Sequence, residues 1–288
     1  FGAKYHPRLA SSDDWLIGNA ENTAFALLFT EDYKDFYETV GGAVYLKARP
    51  LLHTSCTIGM WAEDTKYLKE HCNLWSLFGG SKRFGENFGT VSEPERTLGI
   101  SEIDTTDNIF LATAIEYDGT NAENVFERSA WRASGQLEWS DGSFGSDYDY
   151  RRYLVQVRRY QKTTRQSMFL LTGAYGGSDS HLPLNRVFFL GGLGTLYGYE
   201  HKEFAGTRFW MLNAEYRFAI PRRSIAFGLF WDGGRISDAP GFTSESEVKN
   251  SLGAALYLGK GFRMSLSRRL DRSTDNDPIF YCRFTSIY

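Results

Sequence analysis

The sequence predicts an all-β fold: a transmembrane antiparallel β-barrel of about twelve strands, with about fourteen as the fallback count. Three observations carry this. Apolar and polar side chains alternate with a period of two over segment after segment, which is the signature of a strand with one oily and one wet face. The connections between these segments alternate short and long, as in outer-membrane barrels, whose short turns face the periplasm and whose long loops face outward. The longest apolar runs, such as residues 24–29, fall far short of the ~18 residues a membrane helix needs.

Composition agrees. Among 288 residues, 16% are aromatic, and glycine (29) far outnumbers proline (7). A mean hydropathy of −0.38 would read as soluble for a helical protein, but alternating strands look mild in any average. The net charge of −3 gives no basic footprint, so no nucleic-acid partner is expected. The three cysteines, Cys56, Cys72 and Cys282, form no CxxC pair. They read as incidental thiols, and neither a metal nor a cofactor is expected.

In chain order, residues 1–22 read as a lead segment and 23–288 as the barrel. Strands are expected near 23–31, 36–48, 53–64, 108–118, 126–140, 148–161, 166–176, 207–219, 224–233, 248–258, 262–270 and 278–288. On the fifth, Trp131, Ala133, Gly135, Leu137 and Trp139 alternate with Arg132, Ser134, Gln136 and Glu138. On the eighth, Trp210, Leu212, Ala214, Tyr216 and Phe218 alternate with Met211, Asn213, Glu215 and Arg217. The ninth and tenth show the same pattern through Ile225, Phe227, Leu229 and Trp231 and through Leu252, Ala254, Leu256 and Leu258. Such strands are long for a soluble sheet and suit a tilted membrane crossing. No amphipathic helix is expected, and the span 64–107 has room for another hairpin. Short links at 49–52, 161–165, 220–223 and 259–261 alternate with longer ones at 64–107, 140–147, 177–206, 234–247 and 271–277. The link 119–125 is long for its place.

Arg132, Arg152, Arg158, Arg217, Arg263 and Arg269 share the polar parity of their strands. Pairing with Glu138, Glu215 and Asp232 to fill a narrow lumen is favoured over an anion-selective passage. Enzymatic chemistry is not expected and no catalytic residue is assigned. Asp179, Ser180 and His181 adjoin on one loop, where their side chains diverge, and Asp147, Asp149, Asp104 and Asp107 read as solvated loop acids.

The most distinctive stretch is residues 188–221, FFLGGLGTLYGYEHKEFAGTRFWMLNAEYRFAIP, followed by FGLFWDGGRI at 227–236. It resembles the C-terminal half of the outer-membrane assembly-factor and two-partner-secretion transporter superfamily, the bacterial surface antigen family. The loop matches at Gly191, Gly192, Gly194, Gly198, Tyr199 and Gly206, the next strand at Asn213, Glu215, Tyr216, Arg217 and Phe218, and the third piece at Phe230, Asp232 and Gly234. The resemblance is strong over 188–288 and weaker before.

It implies a Gly-rich extracellular loop (Gly191, Gly192, Gly194, Tyr197, Gly198, Tyr199) folded into the lumen against a wall of Glu215, Arg217 and Asp232. It also implies a seam between first and last strands, here residues 23–31 and 278–288. The implied work is insertion or secretion of polypeptide at the outer membrane, or anchoring of an associated domain. The implied partners are the lipid bilayer, unfolded outer-membrane or secreted polypeptides, and other outer-membrane or periplasmic proteins. The chain end, with Phe280, Cys282, Phe284 and Tyr288 on one parity, looks like the C-terminal signal of such barrels. A passive pore and an outer-membrane hydrolase are the alternatives.

Two departures stand out. Tyr197 occupies the place of the family's loop-tip arginine, and a phenol cannot make a guanidinium's bidentate ion pair. Asp232 is therefore expected to take Arg217 or another lumen arginine, leaving the loop a structural pin rather than a moving gate. The barrel is also smaller than the family's usual one, and residues 1–22 are too short for a periplasmic polypeptide-binding domain. A barrel cut from something longer, or a reduced branch suited to anchoring, is expected.

Overall fold

The structure is a computed structural model describing residues 1–29, 31–68, 77, 106–120, 128–221, 223–237, 247–259, 261–271 and 277–284. Its elements are β1 (Gly2–Ala10), α1 (Asn19–Phe29), β2 (Tyr37–Ala48), β3 (Thr54–Tyr67), β4 (Thr106–Asp118), β5 (Ala130–Ser140), β6 (Tyr150–Lys162), β7 (Ser167–Ser178), β8 (Phe188–Leu190), β9 (Phe204–Gly206), β10 (Arg208–Ala219), β11 (Ile225–Ser237), β12 (Lys249–Leu258), β13 (Phe262–Arg269) and β14 (Ile279–Phe284). Twelve strands make one antiparallel meander in which each pairs with its neighbour in sequence, except that β7 pairs directly with β10. The small β8–β9 hairpin between them leaves the wall.

The period-two pattern sets the faces. Leu137, Leu229 and Phe227 are exposed on the outside, whereas Arg152, Glu215, Asp232 and Arg263 are buried on the inside. That is the inverse of a soluble barrel and fits an apolar exterior in lipid. Loop 179–207 proves the curl. From inside, Arg186 reaches Tyr37 on β2 and Glu63 on β3, each at 3.4 Å. It also reaches Glu138 on β5 at 3.0 Å. The same loop touches Asp232 on β11, Ser251 on β12, Ser267 on β13 and Tyr281 on β14. A sheet that contacts one central segment from so many strands is wrapped around it. Its ends, β1 and β14, are not hydrogen-bonded to each other among the described residues.

Among the described residues the sheet has twelve strands, in agreement with expectation, but the first strand is misplaced. Residues 23–31 were expected as a strand, and Asn19–Phe29 is instead helix α1. The alternation of Phe25, Leu27 and Phe29 imitates a strand. The Ala, Leu and Glu content favours a helix, and the buried residues Glu21, Asn22 and Phe25 have helical spacing. A strand at Gly2–Ala10, inside the expected lead segment, precedes β2 in the sheet. Its outward face is thin: Tyr5 and Leu9 are exposed. Pro7, paired in register with Val40, is tolerated because an end strand leaves one side unpaired. Placing β1 there makes residues 11–36 a long-side loop, which restores the alternation of links. Most of the expected hairpin region at 64–107, together with Cys72 and Tyr288, lies outside the described residues.

Candidate functional site

The site is the loop tip Tyr197-Gly198-Tyr199 against the inner wall. Backbone permissiveness brings it there. Gly191 has φ +118°, and a Cβ on it would collide with the Glu200 carbonyl and the Glu203 amide, so only glycine fits. At Gly198 a Cβ would overlap Ser251 and the Arg268–Arg269 backbone.

Asp232 is the hub. Its Oδ2 accepts the Tyr197 backbone N–H at 3.1 Å and the Ser251 hydroxyl at 3.1 Å, and its Oδ1 accepts Asn213 Nδ2 at 2.8 Å. Ser251 also accepts the Gly198 N–H at 3.2 Å, and Asn213 also donates to the Thr195 carbonyl at 2.6 Å. The Ser267 hydroxyl donates to the Tyr197 carbonyl. Tyr199 donates to Asp271 at 3.0 Å, and Tyr281 donates to the Tyr199 carbonyl at 2.9 Å. Burial and Asp271 push the Tyr199 phenol above its usual range, so it stays a neutral donor.

This corrects the expected pairing of Asp232. Arg217 pairs with Glu215, Nε to Oε1 at 2.8 Å, and Asp232 is satisfied by backbone and neutral side-chain donors. Arg263 of β13 lies 4.2 Å above the Tyr197 ring and 4.9 Å from Phe230, and its Nε donates to the Tyr257 hydroxyl at 2.9 Å. A cation over an aromatic ring thus braces the tip in place of the expected pairing of Asp232 with a lumen arginine.

Gly192 and Gly194 shape the turn before the tip at φ +71° and +86°. Leu190, Leu196 and Tyr199 are fully buried and pack with Phe188, Phe209 and Tyr150, so the lumen holds a hydrophobic core at this level. Of the other lumen arginines, Arg152 takes the expected Glu138 at 3.3 Å, whereas Arg269 pairs with Glu203 at 3.1 Å and Arg132 with Asp118 at 2.5 Å, neither of which was among the expected partners. Arg158 bonds instead to the Thr172 hydroxyl at 3.2 Å, beside a cavity of about 360 Å³ that also takes in Trp15, Gln156 and Arg132.

Sequence reasoning missed a second infolded segment, residues 11–36. Lys202 binds Asp13 at 2.7 Å and Asp35 at 2.5 Å, and His201 Nε2 lies 2.8 Å from the Tyr33 carbonyl. The expected seam changes with it. Glu21 pairs with Arg283 at 3.3 Å, while Phe25, one turn later, packs on Phe284 at 5.1 Å. Arg283 stands opposite Arg263 on the inner parity and Phe284 opposite Phe262 on the outer. Helix α1 therefore lies along the open edge of β14 and touches both faces. No local signal marks this, because the partners are far apart in sequence.

The rejected hydrolase candidates sit apart from the tip. Ser180 Oγ donates to Asp179 at 3.2 Å beside the exposed His181, and Asp147 accepts the Asp107 backbone N–H at 2.7 Å. Of the expected C-terminal series, Phe280 and Phe284 share the outer parity.

The Gly-rich infolded loop and the β10 and β11 strands that hold it lie within the span that a family model matches. The model for the Omp85 superfamily domain matches residues 18–267. The chain belongs to the Omp85 superfamily. Solved structures agree on the fold. BamA from Haemophilus ducreyi lacking POTRA domains 1-3 is 13% identical, with a TM-score of 0.63, and the match covers 98% of this chain and 57% of that one. CdiB from Acinetobacter baumannii and CdiB from Escherichia coli are each 12% identical, with TM-scores of 0.51 and 0.54. Each match covers 87% of this chain, and 42% and 45% of theirs. The chain thus spans about half the length of these Omp85-type structures. No curated protein matches the sequence. As an Omp85 superfamily member, it is a bacterial outer-membrane β-barrel.

Proposed function

We propose that this barrel acts on polypeptide at the outer membrane, in insertion or secretion, with the loop tip serving as a fixed pin of the lumen. Superfamily membership supports the class of work. The observation that carries the pin is the bonding of Asp232: three donors from the loop and wall converge on one buried carboxylate. A tip held by its own backbone amides cannot be released by turning one side chain, as an arginine finger can.

The experiment is Asp232→Ala, read by heat-modifiable mobility on gels and by capture of an unfolded outer-membrane polypeptide in vesicles. A pin predicts that the folded band is lost at a lower temperature. Unchanged folding overturns the pin. A well-folded wild-type barrel that never crosslinks to a translocating or inserting chain overturns the polypeptide reading.

A further inference from the structure

The outer face carries a second site, independent of the lumen. At the long-loop end of the wall, arginines stand on the outward parity: Arg151 on β6, Arg208 on β10 and Arg235 on β11. The register places them in adjoining rows. Tyr153, Gly177 and Arg208 are aligned across β6, β7 and β10, and Tyr175, Trp210 and Arg235 across β7, β10 and β11 in the next. Gly177 makes room: a Cβ there would strike the Tyr153 ring, so Tyr153 lies across the glycine toward Arg208. Its hydroxyl donates to that of Tyr175 at 3.3 Å.

Arg208 Nε donates to the Ser178 carbonyl at 2.9 Å, which fixes the guanidinium and leaves its terminal N–H groups available. Arg151 lies 5.9 Å from the Trp139 ring. Neither guanidinium has a carboxylate within 4 Å among the described residues. Asp179, just above, spends its Oδ1 on the Arg151 backbone N–H at 3.0 Å and on Ser180. The aromatic residues set the depth, since Trp and Tyr favour the level of the lipid headgroups. Two strands away from β6 the outward parity carries acid instead: Asp64 of β3 and Asp107 of β4 are opposite each other in register.

We propose that the outer rim over β6, β7, β10 and β11 is a binding site for a phosphate-bearing lipid of the outer leaflet, with Arg151 and Arg208 as its anion ligands. Guanidinium donors match phosphate oxygens in pairs. The acids of β3 and β4 repel the same headgroups, so the bound lipid sits over β6, β7, β10 and β11 and not over β3 and β4.

The test is native mass spectrometry of the intact barrel, extracted gently from bilayers holding equal amounts of diphosphoryl lipid A and its dephosphorylated counterpart. The wild type is expected to retain the phosphorylated lipid preferentially. The double variant Arg151→Gln/Arg208→Gln loses about tenfold of that retention. Arg159→Gln, outward over Trp131 at the opposite rim, keeps it. Equal retention of the two lipids by the wild type overturns the proposal, and this arm needs no variant to fold. Equal loss in Arg159→Gln and the double variant overturns it too.

Discussion

Lys202 Nζ lies 2.7 Å from Asp13 Oδ2 and 2.5 Å from Asp35 Oδ2, so one ammonium holds both ends of the 11–36 excursion. Asp13 also accepts the Asp35 backbone N–H at 2.9 Å, which closes the excursion at its neck. Burial alone would depress the lysine's pKa, but the two carboxylates overcome that and raise it. The ammonium is then charged at neutral pH, and its contribution is lost only at strongly alkaline pH.

Removing one partner of a buried ionic cluster leaves uncompensated charge, at a cost of about 3–5 kcal/mol. Lys202→Met is therefore expected to destabilise the barrel by about that much in urea titrations. The triple variant Lys202→Met/Asp13→Asn/Asp35→Asn should recover most of the loss, because no buried charge remains. A single variant as stable as the wild type would show that the cluster does not hold the excursion.

Gly198 tests the fit of the tip. A methyl group there overlaps Ser251 and the backbone of β13, and a backbone cannot step aside as a flexible side chain can. Gly198→Ala should cost about 1–3 kcal/mol, the usual range for overpacking, and should lower the temperature at which the folded band disappears. Gly142 is the control, since nothing lies within 4 Å of a Cβ there. Gly142→Ala should leave the gel behaviour unchanged.

The wall was legible in the sequence because strand parity is local: Asn213, Glu215, Arg217 and Asp232 all fall on the inner face where alternation puts them. What those groups bind was not. Ser251, Ser267 and Arg263 are single small or basic residues on strands without a motif, and only the register aligns them with the tip. Helix α1 was hidden for the opposite reason, as its Phe25, Leu27 and Phe29 satisfy a strand pattern that tertiary packing overrides. Strand β1 was hidden because an end strand tolerates Pro7 and a weak apolar face.

His201 gives the pH dependence. Its Nε2–H donates to the Tyr33 carbonyl, which fixes the neutral tautomer, and its Nδ1 is buried without a hydrogen-bond partner. Burial first, and the neighbouring Lys202 second, push its pKa down to about 4. Between the ordinary value near ~6.5 and about 4, the unfolded chain binds a proton that the folded one refuses. Stability is therefore intact above pH ~6.5 and falls through that window, by up to about 3 kcal/mol from this group. Urea midpoints measured from pH 7 to 4 should show the decline in the wild type and a flatter profile in His201→Gln, which keeps a donor for Tyr33. Parallel profiles would remove His201 from the account.

Conductance separates a filled lumen from a passive pore. At the level of the tip, Leu190, Leu196 and Tyr199 are fully buried, and lumen arginines are spent on Glu138, Glu203 and Glu215 rather than left to attract anions. Among the described residues, a hydrophobic plug cross-braced by ion pairs obstructs the lumen at this level, and crossing such a plug without water costs far more than thermal energy. The intact barrel should therefore give no steady current in a planar bilayer. Replacing residues 191–206 with a short Gly-Ser linker removes the plug while keeping the strands β7 and β10 joined. That variant, once shown to run as a folded band, should give a steady current that rises in proportion to voltage. A steady current through the wild type would mean that ions pass beside the loop, and the lumen would then have to be read as a channel.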